Sequence, residues 1–399
     1  MKQREEELTV RLSDNNLQTT REDILKKEVY DEKNLCKLVL TPFDIRWCYL
    51  SNSKHFWNRP RPEYRKECWQ GNSFLISRLN VQASPEGVPI YFTKNIIDKQ
   101  TISRNPAAIP IHLKNEPSKR KKGDETNNMF FEQIANLSEP SRVYLKHLNI
   151  MNPDQNKKEA ALIWMHSLAI GYSPAYSFEN ADGIRHDWPR IPLPDSKEVL
   201  LSSAGLGRKV AALLDTESTV NTVTSGTIRP DLRSIGVVTH VACDSIDPAT
   251  GELDMTASWA HFGKNNAVMP GKGKVVERPY TPKERALLNE GATQSGLTLE
   301  QSLEQLGETT CDIYLNDVAY WSNIPVNVWN YYIGGYQVIK KWLSYREKEI
   351  LGRGLKMEEV HEVMNMARRI AAIILLQLAL DENYEAVKKS TFDWPGDKS

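Results

Sequence analysis

Hydrophobic and polar positions change their spacing several times along the chain, and the spacing predicts the elements. Residues 1–30 are rich in charge and carry only a weak apolar stripe, which indicates a charged N-terminal helix. Short runs rich in β-branched and aromatic residues follow, broken by turn residues, and such runs are typical of strands. They are LCKLVLTPFDIRWCYL (35–50), SFLISRLNV (73–81), PIYFTKNII (89–97) and AAIPIHL (107–113).

The pattern becomes helical after Asn152. KKEAALIWMHSLAIGYSPAY (157–176) begins with strong helix formers, and its helix is expected to end at Gly171 and Pro174. SKEVLLSSAGLGRKVAALLD (196–215) predicts a second helix, in which the small residues of SAGLGRK favour close packing. Further on, strands such as IGVVTHVA and LDMTASWAHF alternate with turns, and GKGK (271–274) favours a hairpin turn. Roughly the last seventy residues are predicted to be helical.

Together these elements predict an α+β fold. The expected parts are an N-terminal helix (1–30), a strand-rich region with a basic loop (31–150), a mixed α/β region (151–325) and a helical tail (326–399). With 399 residues, 40% of them hydrophobic and 26% charged, the chain is long enough and apolar enough to bury a sizeable core.

The charge is balanced overall, with 51 basic and 51 acidic residues, so bulk charge does not predict a polyanion-binding protein. Local excesses do occur. Residues 42–78 carry seven Lys and Arg against three Asp and Glu, and residues 94–122 carry eight against two. A surface that binds nucleic acid is therefore expected only locally, in the strand-rich part.

The cysteines and the apolar runs bear on the cellular compartment. Five cysteines without a CxxC pair indicate reduced thiols in a cytosolic protein and argue against a structural zinc site. The charged N-terminus does not resemble a signal peptide. The longest apolar run, 370–380, is about half as long as a membrane helix requires. We expect a soluble, cytoplasmic protein without membrane contact.

No catalytic motif is evident in the sequence. SAGLGRK lacks the spaced third glycine of a dinucleotide loop, and GKGK lacks the spacing of a phosphate loop. His166 lies in an apolar helix and is expected to be a hydrogen-bonded core histidine, whereas surface pairing with Asp187 explains His186. The chain is therefore not expected to carry an active site of its own.

Four segments combine aromatic residues with a backbone stiffened by proline or bent by glycine, and three of the four also carry Lys or Arg. They are FDIRWCYL with NRPRPEYR, GYSPAY, DWPRIPLP and VWNYYIGGYQVIKKWL. Aromatic rings can stack on bases and arginines can grip phosphates, so a nucleic-acid surface is one interpretation. The other is packing, because large aromatic residues are usually core anchors. Packing is favoured for each tryptophan taken singly: Trp47, Trp57, Trp188 and Trp329.

The spacing within VWNYYIGGYQVIKKWLSYRE (328–347) also favours packing. Four apolar residues are predicted to face inward: Trp329, Ile333, Val338 and Trp342. The Gly-Gly step permits a turn or a close approach of two elements. The cations are expected on the outer face of the following helix: Lys340, Lys341 and Arg346.

In combination the segments resemble the C-terminal specificity region of type ISP restriction-modification enzymes and of their adenine-specific DNA methyltransferase relatives. The resemblance extends from about residue 30 to 395 and rests on ordered blocks: PFDIRWCY (42–49), RPR (59–61), Gly71-Asn72, SPAY (173–176), WPRIPLP (188–194), the helix 202–215, LNDVAYW (315–321), VWNYYIGGYQVIKKWLSYRE and RRIAAIILL (368–376). Family enzymes carry a methyltransferase core upstream, with a glycine-rich S-adenosylmethionine loop and an Asn-Pro-Pro-Tyr motif. Neither motif occurs in this sequence.

The resemblance implies a chain that recognises a DNA sequence and presents the duplex to a methyltransferase core located elsewhere, in restriction-modification or phage defence. Such a chain is not an enzyme alone, and it is either a separate subunit or an excised fragment. The expected partners are double-stranded DNA and that core, which would hold S-adenosylmethionine, and no cofactor is expected in this chain. The residues expected to contact DNA are Arg46, Arg59, Arg61, Arg65, Lys119, Arg120, Lys121, Lys122, Tyr172, Tyr176, Arg190, Lys340 and Lys341.

Two other functions stay open from the sequence. A protein-interaction scaffold of such a defence complex, descended from a specificity region but no longer reading DNA, fits the zero net charge. An enzyme with a site of unrecognised type would modify or cleave DNA without a partner. A steep loss of binding with rising salt separates the DNA reader from the scaffold.

Overall fold

The computed structural model describes residue 22 and residues 25–51, 62–79, 85–115, 132–264 and 267–394. Most of the predicted N-terminal helix lies outside these ranges, as do Arg59, Arg61 and residues 119–122. Within the described ranges, small sheets dominate the first part of the chain and helices dominate its end. The α+β prediction is confirmed.

Eight short strands form the described part of the strand-rich region: β1 Leu35–Thr41, β2 Asp44–Tyr49, β3 Phe74–Ser77, β4 Tyr91–Thr93, β5 Ile96–Ile97, β6 Ala107–Pro110, β7 His112–Asn115 and β8 Glu132–Ala135. β1 pairs with β2 antiparallel and with β5 parallel, β3 lies between β4 and β6, and β7 pairs with β8. A short helix, α1 (Pro62–Lys66), precedes β3. The apolar runs that predicted strands fill the interior, since β3 and β4 are buried along their whole length.

The middle part contains the helices α2 Glu139–His147, α3 Lys157–Ala160, α4 Leu162–Gly171, α5 Pro174–Glu179, α6 Ala181–His186, α7 Lys197–Leu214 and α8 Pro230–Arg233. A Cβ on Gly207 of α7 would lie 1.8 Å from the carbonyl oxygen of Met165 in α4, so only glycine permits this contact. The close packing predicted from SAGLGRK is confirmed. The predicted helix end at Gly171 is also confirmed, but Pro174 begins a new helix because proline suits the first helical turn.

Six strands and two helices follow: β9 Val237–His240, β10 Ala260–Phe262, β11 Val268–Pro270, β12 Val275–Pro279, α9 Pro282–Gln294, α10 Leu299–Leu306, β13 Thr309–Tyr314 and β14 Ala319–Pro325. One sheet has the order β12-β13-β14-β9, and β10 pairs with β11 separately. The hairpin turn predicted at GKGK is therefore wrong, because this step connects β11 to β12 in a different sheet. Its glycines permit a close passage, since Cβ atoms on Gly271 and Gly273 would lie 2.0 Å from the Ser258 carbonyl oxygen and 2.2 Å from the Trp259 ring.

The tail contains the helices α11 Val326–Trp329, α12 Val338–Ser344, α13 Lys348–Leu351, α14 Met357–Leu375 and α15 Gln377–Lys389, with the short strands β15 Tyr332–Ile333 and β16 Tyr336–Gln337 between α11 and α12. The prediction of a purely helical tail is wrong at this hairpin. Gly334 and Gly335 form its turn, with φ angles of 53° and 84° that favour glycine. The four residues predicted to face inward are buried: Trp329, Ile333, Val338 and Trp342.

One large cluster of buried apolar side chains runs from Val39 in β1 to Leu380 in α15. It crosses residues 150 and 325, and the predicted division into parts stays a prediction. Residues 357–389 are long and apolar enough by composition to cross a membrane, but 67% of their most apolar window is buried inside the fold. This burial is what a core helix shows.

Candidate nucleic-acid interface

A buried side chain, Asn72, joins two elements of the strand-rich part. Its Nδ2 donates to the carbonyl oxygens of Glu67 (2.8 Å) and His112 (3.0 Å). Its Oδ1 accepts from the backbone N–H groups of Ser73 (2.9 Å) and His112 (3.2 Å). Because both donors and the acceptor are used on backbone groups, the side chain fixes the loop after α1 to β7. We call this contact the Asn72 junction.

Both basic segments predicted to contact DNA are close in sequence to residues of the Asn72 junction. Arg59 and Arg61 come just before α1 in the sequence, and residues 119–122 belong to the stretch 116–131 between β7 and β8. Asn115 and Glu132 pair at the ends of those two strands. The cations themselves lie outside the described residues, so the structure places their anchors, and the predicted contacts stay predictions.

Three further contacts lie at these anchors. The backbone N–H of Lys114 donates to Glu67 Oε2 at 3.1 Å, and Lys114 Nζ lies 5.3 Å from the ring centroid of Trp69. Nη1 and Nη2 of Arg65 donate to the carbonyl oxygen of Ser51 at 3.4 and 3.3 Å. Arg65 therefore joins the two chain ends that flank residues 52–61. The predicted contact of Arg65 with a phosphate stays a prediction.

Arg46, also predicted to contact DNA, belongs to an ion cluster around Asp44, which is 1% exposed. Asp44 accepts from Nε and Nη2 of Arg46 at 3.2 and 2.9 Å, and from Nη1 and Nη2 of Arg346, both at 2.9 Å. Burial alone would raise the pKa of Asp44, but Arg346 and then Arg46 hold it well below its usual range. The block PFDIRW thus clamps β2 to the segment after α12.

The prediction that Arg346 lies on the outer face of the tail is wrong. Its side chain is buried, because Asp44 supplies a bidentate carboxylate at the start of β2 and the ring of Trp342 lies 4.0 Å from the guanidinium carbon. Its partner is 302 residues away in the chain. We call Asp44, Arg46 and Arg346 the Asp44 clamp.

Lys341 lies half-buried beside this clamp, between two aromatic rings. Its Nζ is 4.9 Å from the centroid of Tyr336 and 4.7 Å from that of Tyr345. Burial lowers the pKa of Lys341, and the nearby Asp44 opposes that shift. Lys340 is also half-buried. The predicted contacts of these two lysines with DNA stay predictions, although the ammonium group of Lys341 already makes cation–π contacts with both rings.

Tyr172 and Tyr176 are 1% and 0% exposed, so the prediction that they contact DNA is corrected. The hydroxyl of Tyr176 donates to the carbonyl oxygen of Arg190 at 3.0 Å, and its ring meets that of Tyr384 edge-on at 5.5 Å. Burial raises the pKa of Tyr172 well above its usual value. Arg190 is exposed and pairs with Asp187 at 3.1 Å, so it is available to an external anion.

The tryptophans predicted as core anchors fall into two groups. Trp329 is buried, whereas Trp188 is 37% exposed and Trp47 is 66% exposed; Trp57 lies outside the described residues. Trp47 lies opposite Lys37 on the β1–β2 pair, and Lys37 Nζ is 5.3 Å from its ring centroid. The core prediction is wrong for Trp47 and for Trp188, which are both exposed. The alternation of side chains along β2 could have predicted that Trp47 is exposed, because the next residue on the strand, Cys48, is buried.

The histidines differ in their surroundings. Nδ1 of His166 lies 2.7 Å from Ser203 Oγ and Nε2 lies 2.8 Å from the carbonyl oxygen of Pro192, so the predicted core histidine is confirmed. Burial lowers the pKa of His166 to about 4. His186 contacts the carbonyl oxygen of Asp182 at 2.8 Å instead of the predicted neighbour. Within the described ranges, no group of three or more His, Cys, Asp and Glu side chains is placed to hold a metal ion.

A comparison with protein-family models matches residues 2–371 to the Type ISP C-terminal specificity domain. The match places the chain among the specificity domains of restriction-modification enzymes. The chain belongs to the family of Type ISP C-terminal specificity domains. A comparison with curated proteins gives no match.

Three solved structures align with most of this chain. The ATP-dependent Type ISP restriction-modification enzyme LlaBIII bound to DNA aligns with a TM-score of 0.50 and 12% identity, over 92% of this chain and 20% of that one. The DrdV–DNA complex gives 0.49 and 14%, over 95% and 30%. A nuclease-deletion mutant of the Type ISP enzyme LlaGI with a DNA substrate mimic gives 0.46 and 13%, over 89% and 25%. The chain thus spans at most 30% of these proteins.

Proposed function

We propose that the chain recognises a DNA sequence as the specificity part of a restriction-modification or phage-defence system. Membership of the Type ISP specificity domain family carries the proposal. The LlaBIII and LlaGI structures are described as complexes with DNA or a DNA substrate mimic, which supports duplex DNA as the ligand. In the proposal the duplex is presented to a methyltransferase core located elsewhere, which binds S-adenosylmethionine and methylates an adenine.

In this proposal the two basic segments next to the Asn72 junction contact the phosphates. Lys and Arg contacts to phosphate give affinity without sequence preference and position the protein on the duplex. The segments contain Arg59 and Arg61 in one case and Lys119 to Lys122 in the other. Hydrogen bonds of Asn72 and Arg65 hold their anchors in place, which reduces the ordering cost of binding.

The salt dependence of duplex binding tests this assignment. Binding of the full chain to a short fluorescent duplex of mixed sequence is measured over a salt series. Each phosphate contact contributes about 0.9 to the slope of log K against log salt, so changing Lys119 to Lys122 to glutamine should flatten the slope by up to about 3.6. The matched control is Lys283→Gln with Arg285→Gln on α9, which packs against α8 and α10. Its slope should equal that of the unmodified chain.

Two results would contradict the proposal. One is that no duplex binds at low salt, with or without a methyltransferase partner. The other is that the quadruple variant and the α9 control have the same slope. Salt-insensitive binding to the partner without any binding to DNA would favour the scaffold instead.

The methyltransferase step is tested separately. The chain is mixed with a core protein carrying the glycine-rich loop and the Asn-Pro-Pro-Tyr motif, together with labelled S-adenosylmethionine. Sequence-specific methylation is expected only when both proteins are present. Methylation by the core alone with the same sequence preference would remove the need for this chain, and base modification by the chain alone would reveal an active site of its own.

A further inference from the structure

Two cysteines lie directly opposite each other on the β1–β2 pair. Cys36 pairs in register with Cys48, and their sulfur atoms are 3.3 Å apart. A disulfide bond is about 2.05 Å long, so the sulfurs must approach by only about 1.3 Å to form one. Directly opposed Cβ atoms on antiparallel strands are about 4.5–5.5 Å apart, close to the range of about 3.5–4.5 Å that disulfides require. The strands therefore already hold the pair near bonding geometry.

The surroundings single out Cys36 as the more reactive thiol. A hydrogen bond from Cys48 lowers the pKa of Cys36; burial opposes the shift and the guanidinium of Arg65 adds to it. By contrast, burial raises the pKa of Cys68 to about 12, although its Sγ donates to the Tyr64 carbonyl oxygen at 3.3 Å. Cys36 is also half-buried, so a small oxidant can reach it more readily than a core thiol.

We propose that Cys36 and Cys48 form an oxidation site that closes into an intrachain disulfide on exposure to a peroxide. In the first step the Cys36 thiolate attacks one oxygen of hydrogen peroxide: the S–O bond forms, the O–O bond breaks, and the departing hydroxide takes up a proton and becomes water. In the second step the Cys48 sulfur attacks the sulfenic acid on Cys36, so that the S–S bond forms and the S–O bond breaks, releasing a second water. The two thiols lose two electrons and the peroxide gains them.

The remaining cysteines provide controls within the same chain. Cys68 belongs to the same small apolar cluster as Cys36 and Cys48, so it is the nearest competitor for the new bond. Cys243 is exposed, and it reports on oxidation that depends on access alone. Cys311 is buried in β13, and burial raises its pKa to about 12, so it should stay reduced.

Peptide mapping of the full chain tests the site. The reduced protein is treated with hydrogen peroxide, its remaining thiols are blocked, and it is cut with trypsin after Lys37 and Arg46, which puts Cys36 and Cys48 on different peptides. We expect these two peptides to be joined, with the loss of two hydrogen atoms, and separated again by dithiothreitol. In Cys48→Ser the reaction should stop at a sulfenic acid on Cys36 that a dimedone probe labels. Cys68→Ser and Cys243→Ser should keep the link.

Three results would overturn the inference. They are a link between Cys36 and Cys68, a link only between two chains through Cys243, or oxidation of Cys36 to the sulfinic acid in the unmodified protein without any link. Because the mapping is read on the unmodified chain, it does not depend on whether a serine variant folds.

Discussion

Changing Asp44 to asparagine removes the negative charge from the Asp44 clamp and changes little in shape. Arg346 would then be buried opposite a neutral amide, while Arg46, with a third of its side chain exposed, would recover part of its hydration. Removal of one partner from a buried ion pair costs about 3–5 kcal/mol. Since one of the two arginines is partly solvated, we expect about 3 kcal/mol of lost unfolding free energy.

Urea unfolding at neutral pH measures this loss through the midpoint, provided that the slope m stays the same. Arg346→Met alone should cost a similar amount, because it leaves Asp44 buried with one partner. The double variant Asp44→Leu, Arg346→Met should lose less than the sum of the single changes, because it removes both charges of the buried pair, whereas each single change leaves one of them buried. Asp187→Asn is the matched control at an exposed pair, and its midpoint should not move.

The result that would refute the clamp is a loss below about 1 kcal/mol for Asp44→Asn with m unchanged, since an exposed pair would behave in this way. A second informative result concerns Arg46. If Arg46→Met abolished duplex binding without moving the urea midpoint, Arg46 would act on DNA and would not act as a clamp residue.

Three further predictions concern pH and glycine positions. The pKa of His166 in the folded protein, about 4, lies below its ordinary value. The free energy of unfolding should therefore be highest above about pH 6.5 and fall by up to about 3 kcal/mol as the pH drops towards 4. Urea titrations at several pH values should show this fall, and His166→Gln should make the pH dependence flatter. Gly334→Val should lower the melting temperature, because φ is 53° and a Cβ would lie 2.4 Å from Ile102; lost duplex binding with unchanged melting would contradict this. Gly207→Ala should lower the melting temperature, because the new Cβ would clash with a carbonyl oxygen of α4. Gly205→Ala on the same helix is the control, because its Cβ would point into open space and should leave the melting temperature unchanged. Equal melting temperatures of the two variants would refute the close packing.

Most local elements and the family could be read from the sequence, because their signals are local. The strand character of residues 35–50, α7 and the turn that the glycines permit at 334–335 depend on β-type residues, helix periodicity and the φ freedom of glycine, each of which extends over a few residues. The ordered blocks from PFDIRWCY to RRIAAIILL likewise identified the specificity domain without any knowledge of contacts. For the same reason the GKGK step misled the prediction, since a turn signal does not say which sheets the flanking strands join.

Only the tertiary structure decided which polar and aromatic side chains are available at a surface. From its sequence neighbours alone Arg346 looks like an exposed cation, but it is buried against a carboxylate partner 302 residues away in the chain. Tyr176 resembles a stacking residue until α5 packs it against Tyr384, while Trp47 has the composition of a core anchor and yet faces solvent. Burial and ion pairing depend on distant parts of the chain meeting, and no short stretch of sequence records that meeting.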